Sequence, residues 1–257
     1  MEYLERVTHR QRLRVARAGL SNVVEAERRY LETQPYHLVH RYDPRAAEYT
    51  VRVDVVRPIP ADLPPLVAGV LLDATATLDA LASSLASLEG APGAGVRFPL
   101  YESLPQFAQR TRRLLSSMPD EAQATIEALQ PYHTFGGFRN DPLWIMRALL
   151  TDGAPDLAAG ALREGATLGV NTKRHVEVLG DLRVPAGPFA PGSAVTTVAA
   201  RVAGPDPKLD MFLRPSYELA FATTGPARGA SLVGTLGAIC DRVEHDVVEV
   251  LERLMHA

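Results

Sequence analysis

Residues 66–88, LVAGVLLDATATLDALASSLASL, are the stretch of sequence that decides the fold of this chain. Alanine and leucine favour helix, and apolar side chains lie around most of the circumference of the helix that they would form. Such a helix must be covered on several sides, by protein or by lipid. Pro64 and Pro65 precede it, and Asp73, Asp79 and several hydroxyl-bearing residues lower its hydrophobicity. We therefore predict a long central core helix and expect no membrane partner.

An amphipathic helix and a β-hairpin are predicted on the N-terminal side of the core helix. Apolar residues recur at three- and four-residue spacing over residues 3–33, and Pro35 ends that helix. Residues 36–57 then alternate between apolar and polar types around a turn at residues 43–45. This alternation predicts a hairpin with one face in water.

Shorter helices and then strands are predicted on the C-terminal side of the core helix. Helices are expected at residues 104–118, 119–129 and 155–164, and one that Asp141 caps begins at Pro142. Extended segments follow, and they predict three or four antiparallel strands. These segments are residues 176–178, 194–203, 211–213 and 217–222.

Helices at both ends thus bracket a β-hairpin and a small antiparallel sheet, which predicts a single α+β domain over residues 1–257. Residues 1–165 are expected to be mainly helical, apart from the hairpin at 36–57. Residues 170–225 are expected to be mainly β, and residues 230–255 to form a C-terminal helix.

The composition excludes several classes of protein. With 46% hydrophobic and 22% charged residues the chain has enough apolar surface for a core, and its net charge of −3 argues against attachment to nucleic acid by charge alone. Cys240 is the only cysteine, so an intramolecular disulfide and a cysteine-based zinc cluster are excluded. Charged residues within positions 1–6 argue against a secretory signal. We therefore expect a cytoplasmic protein that does not bind nucleic acid.

The tetrapeptide Gln-Pro-Tyr-His occurs twice, at residues 34–37 and 130–133, each time just after a predicted helix. We interpret both copies as helix-terminating segments, since proline cannot continue a helix. No longer repeat surrounds them.

The loop around the second copy is the candidate ligand site. Tyr132, Phe135, Phe138 and Arg139 bring ring faces and a cation together, and His133 adds a titratable imidazole. A loop of this composition can clamp a nucleotide or another aromatic ligand. The alternative is that its rings anchor the loop onto the core.

Arg10, Arg14 and Arg17 fall on one stripe of the first helix and are candidate partner-binding residues. The C-terminal helix carries the opposite charge. The two helices can therefore pair within the fold or across a two-fold dimer, and a solvated basic face is a further alternative.

The sequence carries no cofactor signature. It contains no phosphate-binding glycine loop, no Gly-x-Ser-x-Gly elbow and no His-Glu-x-x-His pair. Asp241, His245 and Glu249 lie at four-residue spacing, but such a ladder is more often a charged helix face than a metal site. We expect no metal and no cofactor, and we expect Cys240 to be an inert buried thiol.

An ordered set of landmarks follows the hairpin: Ala68-Gly69, Thr77-Leu78-Asp79-Ala80-Leu81, Phe98-Pro99-Leu100-Tyr101, Gln130-Pro131-Tyr132 and Pro142-Leu143-Trp144-Ile145. This order resembles a family of uncharacterised bacterial proteins common in actinobacteria, over about residues 5–255. The strong excess of arginine over lysine fits a GC-rich bacterial gene.

The resemblance implies a pseudoenzyme. In that family an Arg-x4-His pair on the core helix is similar to the ribonuclease motif of HEPN-type helical domains, where the two side chains serve phosphodiester cleavage. Aligned on Leu78-Asp79, the arginine position falls on Thr75 and the histidine position on Ala80. Neither side chain holds a charge or moves a proton at neutral pH.

We therefore predict a self-associating cytoplasmic protein, a homodimer, with a binding or structural role and no catalysis. The competing hypothesis is a HEPN-like ribonuclease or ligand-processing enzyme with a site rebuilt at residues 132–139. Its candidate catalytic residues are His133, His175 and Arg139, converging with Lys173 and Arg174 on one pocket. A third hypothesis is salt-sensitive partner recognition through the arginine stripe.

Overall fold

The structure is a computed structural model that describes residues 8–88, 96–151, 155–158, 160–162, 168–173, 176–179, 187–189, 192–202, 208–213 and 217–255. Its helices are α1 (His9–Glu32), α2 (Leu63–Leu88), α3 (Leu104–Leu115), α4 (Asp120–Ala128), α5 (Pro142–Thr151), α6 (Leu232–Asp241) and α7 (Glu249–Met255). Two short 3₁₀ segments, Pro131–His133 and Phe138–Asn140, lie between α4 and α5. A π-helical segment, Arg242–Val248, joins α6 to α7.

The strands form antiparallel sheets. They are β1 (Tyr36–Asp43), β2 (Glu48–Val55), β3 (Gly160–Leu162), β4 (Leu168–Lys173), β5 (Val176–Leu179), β6 (Gly187–Phe189), β7 (Ser193–Val202), β8 (Lys208–Leu213) and β9 (Tyr217–Glu218). Their orders are β1-β2-β7-β5, β6-β3-β9 and β4-β8. The α+β class and the hairpin are thus confirmed, and β7 pairs with β2 to join the hairpin to the later strands.

Helix α2 is the core helix, as predicted. Eleven of its side chains are buried, and it contacts α1, α5 and α6. By length and composition it could cross a membrane, and 44% of its most apolar window is buried against the rest of the fold. It begins at Leu63, three residues earlier than predicted, because Pro64 and Pro65 fall in the first turn, where a helix needs no N–H donors.

The predicted helix at residues 155–164 is wrong. Gly160–Leu162 forms strand β3, which pairs with β6 and β9, and Leu157 makes a β-bridge to Phe221. A Cβ on Gly160 would lie 2.6 Å from the Tyr36 hydroxyl and from the Phe189 ring. The strand is therefore selected by close packing against residues distant in sequence, which a local pattern does not reveal.

The C-terminal helix differs from the predicted regular helix. Its π-helical segment adds a residue to one turn, so the inward face shifts by one position beyond Val247. Val248 and Leu251 are buried, whereas Val250 and Leu254, predicted to be inward, are only half-buried. Two smaller corrections concern α3, which ends at Leu115, and Pro119, which caps α4 instead of opening it.

Candidate functional site

Both Gln-Pro-Tyr-His copies follow a helix end, as predicted, but their glutamines differ in role. Gln34 lies two residues past α1 in the left-handed region, with φ of 51°. Gln130 is fully buried. Its Nε2 donates to the carbonyls of Pro99 at 2.9 Å and Ile126 at 3.0 Å, and its Oε1 accepts from the Tyr101 N–H at 3.0 Å. Gln130 thereby fixes the start of the candidate ligand loop.

The landmark residues hold one another in place. The Asp79 carboxylate accepts from the Phe98 N–H at 2.9 Å, and burial raises the pKa of Asp79. Gln130 hydrogen-bonds the backbone of Pro99 and Tyr101, which follow Phe98. The Arg147 guanidinium donates to the Leu100 carbonyl. On α2, the Thr75 hydroxyl donates to the Leu71 carbonyl at 2.9 Å. These contacts are structural.

Tyr132 and His133 both bind Glu127. The Tyr132 hydroxyl donates to Glu127 Oε1 at 2.8 Å, and His133 Nε2 lies 2.9 Å from the same oxygen. These hydrogen bonds, that of His133 first, lower the pKa of Glu127. The Tyr132 ring also packs edge-on against Phe107, with 6.5 Å between ring centroids. Tyr132 therefore anchors the loop to the core.

His133 lines a cleft of about 710 Å³ together with Asp141, Arg242 and His245, which we call the His133 cleft. Asp141 caps α5 as predicted, accepting from the Leu143 N–H at 2.8 Å. Arg242 lies 3.4 Å from Asp141, and its buried Nε has no acceptor among the described residues. The cleft mixes both signs of charge, so its electrostatics favour neither a cation nor an anion.

Arg139 lies at a different depression. We define the arginine groove as the groove of about 860 Å³ whose lining includes Glu102, Arg139, Trp144, Arg147 and Arg228. The 3₁₀ segment and α5 supply one part of its lining, and the turn at residues 225–230 supplies the other.

Aromatic rings pack beside Arg139 in the groove. The Arg139 guanidinium carbon lies 5.7 Å from the centroid of the Phe138 ring, within cation–π distance. The Phe138 ring packs edge-on against Trp144, with 5.5 Å between centroids. The Trp144 indole N–H donates to Glu102 at 2.9 Å.

The charge of the groove is positive although the chain as a whole is acidic. Three arginines face one carboxylate, that of Glu102. Within the part of the chain that the structure describes, neither Arg139 nor Arg228 has a carboxylate within ion-pair distance. As far as the described residues extend, these two guanidinium groups thus have no anionic partner, and their N–H donors suit an added anion.

Arg228 is held in a strained conformation. Its φ is 33°, in a region where non-glycine residues are rare, and Gly225 and Gly229 of the same turn have φ of 98° and 75°. The turn is closed by hydrogen bonds from the Gly229 N–H to the Ala222 carbonyl at 2.9 Å and from the Ala230 N–H to the Ala227 carbonyl at 2.8 Å. Strain of this kind costs about 1–3 kcal/mol and clusters at functional sites.

Phe135 stands apart from the other loop rings. It is fully exposed, at 102% of the reference area, and Gly136 and Gly137 follow it with φ of 84° and 99°. The alternative that the aromatic rings anchor the loop onto the core therefore holds for Tyr132 but not for Phe135.

The structure separates the predicted loop residues into two groups. Arg139 lines the arginine groove and Phe138 supports it, whereas His133 lines the His133 cleft. His175 and Arg174 lie outside the described residues, and only the backbone of Lys173 is described, so their approach to His133 stays a prediction. Sequence reasoning missed Trp144, Arg147 and Arg228. The local signal for Arg228 is the Gly-Pro-Ala-Arg-Gly turn at residues 225–229.

The predicted partner-binding arginines are also divided. Arg10 binds Glu252, and Arg17 binds Asp241 and Glu244, while Arg14 is exposed. In the described ranges, the histidine, cysteine and acidic side chains form no group of three or more suited to a metal ion. His245 lies 3.0 Å from Glu249, whose hydrogen bond raises the pKa of that imidazole.

Comparison of the chain with protein-family models, with curated proteins and with solved structures gives no match in any of the three.

Proposed function

We propose that this chain is a non-catalytic binding protein that takes an anionic small molecule into the arginine groove. The observation that carries the proposal is the unpaired state of Arg139 and Arg228 within the described chain, on two sides of one groove. Both side chains are exposed, so their planar N–H donors are open to an anion that arrives from solution. The strain at Arg228 supports the proposal, because the turn keeps an arginine where glycine or asparagine would be more stable.

The proposal includes a cytoplasmic location and descent, as a pseudoenzyme, from the bacterial HEPN-like family that the chain resembles. Thr75 and Ala80 on α2 support the loss of phosphodiester cleavage, since neither is a proton carrier. Self-association belongs to the same proposal. Val15 on α1 and Leu72 on α2 are more than half exposed and offer apolar surface for a second copy. Native mass spectrometry tests it, and a monomer at every concentration would contradict this part.

Tryptophan fluorescence tests the binding function directly, because Trp144 is the only tryptophan and it lines the groove. Titration with inorganic pyrophosphate should change the emission with a saturable profile that weakens with added salt. The variants Arg139→Ala and Arg228→Asn should each weaken binding by about 10-fold or more, since a charge-assisted hydrogen bond contributes about 1.5–3 kcal/mol.

The matched control is Arg45→Ala, which removes the same charge from the exposed hairpin turn. It should leave binding unchanged. Arg228→Asn should not lower the melting temperature, because asparagine tolerates a positive φ better than arginine. Equal binding by all the variants, or no binding by the native chain, would refute the function.

A second candidate function is the ligand-processing or ribonuclease activity of the competing hypothesis. The observation that favours it is the pairing of His133 with Glu127, since a carboxylate that orients an imidazole is a common feature of general bases. The test is cleavage of single-stranded RNA by the native chain and by His133→Ala. His37→Ala, an exposed histidine of the other tetrapeptide copy, is the control. Activity that persists in His133→Ala would exclude this residue as the base.

A further inference from the structure

We infer that the ligand of the arginine groove carries a planar aromatic ring beside its anionic group, as a nucleoside phosphate does, and that Phe135 contacts this ring. The inference rests on the proposed function and names the chemical class of its ligand. The features that carry it are the exposure of Phe135, its place in the chain directly before the groove residue Gly136, and the size and charge of the groove.

Phe135 is exposed in a way that the fold does not require. Phe98, Phe107, Phe189 and Phe221 are all buried in the core. A phenylalanine ring left wholly in water forgoes the stabilisation that burial would supply, and large aromatic side chains of this kind are typical of binding surfaces. Phe135 therefore has a role outside the packing of its own chain.

Phe135 directly precedes a residue of the groove. Its neighbour Gly136 lines the groove, and so does Asn140, whose side-chain amide donates to the Gly136 carbonyl at 2.9 Å. A Cβ on Gly136 would lie 2.9 Å from that amide nitrogen, and Gly137 likewise has no side chain. The positive φ of Gly136 and Gly137 thus shapes the backbone between Phe135 and the groove residue Arg139.

The lining matches both parts of such a ligand. The guanidinium groups of Arg139 and Arg228 bind phosphate oxygens well, because their planar N–H donors match oxyanion geometry. A ring on the same ligand can stack on the exposed Phe135 face, and offset or edge-to-face contacts between aromatic rings are favourable. The groove volume of about 860 Å³ is in the range for small-molecule sites, which run from about 300 to 1,000 Å³.

A free nucleotide fits these observations better than a nucleic-acid strand. The chain has a net charge of −3, and the groove lining itself contains three arginines, Arg139, Arg147 and Arg228. A strand needs a basic surface that follows several successive phosphates.

The experiment compares ADP, inorganic pyrophosphate and adenosine on the full chain by Trp144 fluorescence and calorimetry. We expect ADP to bind at least 10-fold more tightly than pyrophosphate. Phe135→Ala should remove this advantage and leave pyrophosphate binding unchanged, whereas Phe135→Tyr should keep it. Val39→Ala, which truncates another exposed apolar side chain, is the control and should behave like the native chain.

Each of the following outcomes would refute one named part of the inference. Equal affinity for ADP and pyrophosphate would refute the aromatic ligand and leave the anion-binding function standing. An ADP advantage that survives in Phe135→Ala would refute the role of Phe135. Tighter binding of single-stranded RNA than of ADP, lost in Phe135→Ala, would replace the nucleotide by a strand. If none of these anions binds, the proposed function and the inference are both refuted.

Discussion

Arg17 and Glu244 join the first helix to the π-helical segment near the C-terminus, with the arginine Nε at 2.8 Å and Nη2 at 2.5 Å from one carboxylate oxygen. Arg17 Nη2 also lies 2.7 Å from Asp241, and Arg10 and His9 both bind Glu252 farther along. The opposite charges that the sequence places on these helices are therefore used within the fold. Arg14 keeps an exposed position on the stripe.

Replacement of Arg17 tests the contribution of this contact to stability. The side chains of Arg17 and Glu244 are 31% and 26% exposed, so solvent screens the pair only in part. Arg17→Gln should lower the free energy of unfolding by about 1–2 kcal/mol, measured by urea denaturation. Arg14→Gln is the matched control and should change it by less than about 0.5 kcal/mol. Equal effects of the two substitutions would show that Arg17 adds nothing beyond its charge.

The pH dependence of stability should reflect Glu252. Burial raises its pKa, but the hydrogen bonds and charges of Arg10 and His9 together lower it by more, so the pKa lies below the usual 4.5. A carboxyl with a lowered folded-state pKa stabilises the fold above its unfolded-state pKa, and this stabilisation is lost as pH falls through the folded-state value.

The native chain should therefore exceed Glu252→Gln in stability near neutral pH, and the difference should shrink as pH falls below about 4.5. Melting temperatures measured over a pH series provide the check. Arg10→Gln should move the acid transition of the native chain upward, because it removes one of the two donors. A difference that is constant with pH would contradict the assignment.

Cys240 should be chemically inert in the folded protein. It is fully buried on α6, and burial raises the pKa of its thiol to about 11. Because the thiolate is the reactive form, a disulfide reagent at neutral pH should label the native chain only at the rate of unfolding. Under denaturing conditions the Cys240 thiol should react with one equivalent of the reagent per chain. Fast labelling of the native protein would mean that α6 opens locally.

The two tetrapeptide copies provide a matched pair of stability variants. Gln130→Leu removes three buried hydrogen bonds and leaves the Pro99 carbonyl and the Tyr101 N–H without them, so it should cost about 2–4 kcal/mol. Gln34→Gly replaces a strained residue at φ of 51° and should add about 0.5–1 kcal/mol. Chemical denaturation of both variants would measure the contrast, and similar effects would refute the distinction between the copies.

The candidate site was only partly predictable from the sequence. Phe138 and Arg139 were identified because they lie on one loop with other aromatic residues. Arg228 was missed because it lies 89 residues after Arg139 in the sequence. It reaches the groove through a turn that lines the groove together with α5. The loop pattern also did not separate His133 from Arg139, since which way each side chain points depends on the two short 3₁₀ segments.

The sequence alone determined the elements whose residues carry a local pattern. Composition and periodicity defined α2, the hairpin and the Asp141 cap of α5, because helix and strand periods and capping side chains act within a few residues. The tertiary structure decided strand β3, the shifted inward face of the C-terminal helix and the assembly of the arginine groove. Each of these depends on contacts between segments far apart in the chain, whose free energy is gained only when the whole fold brings them together.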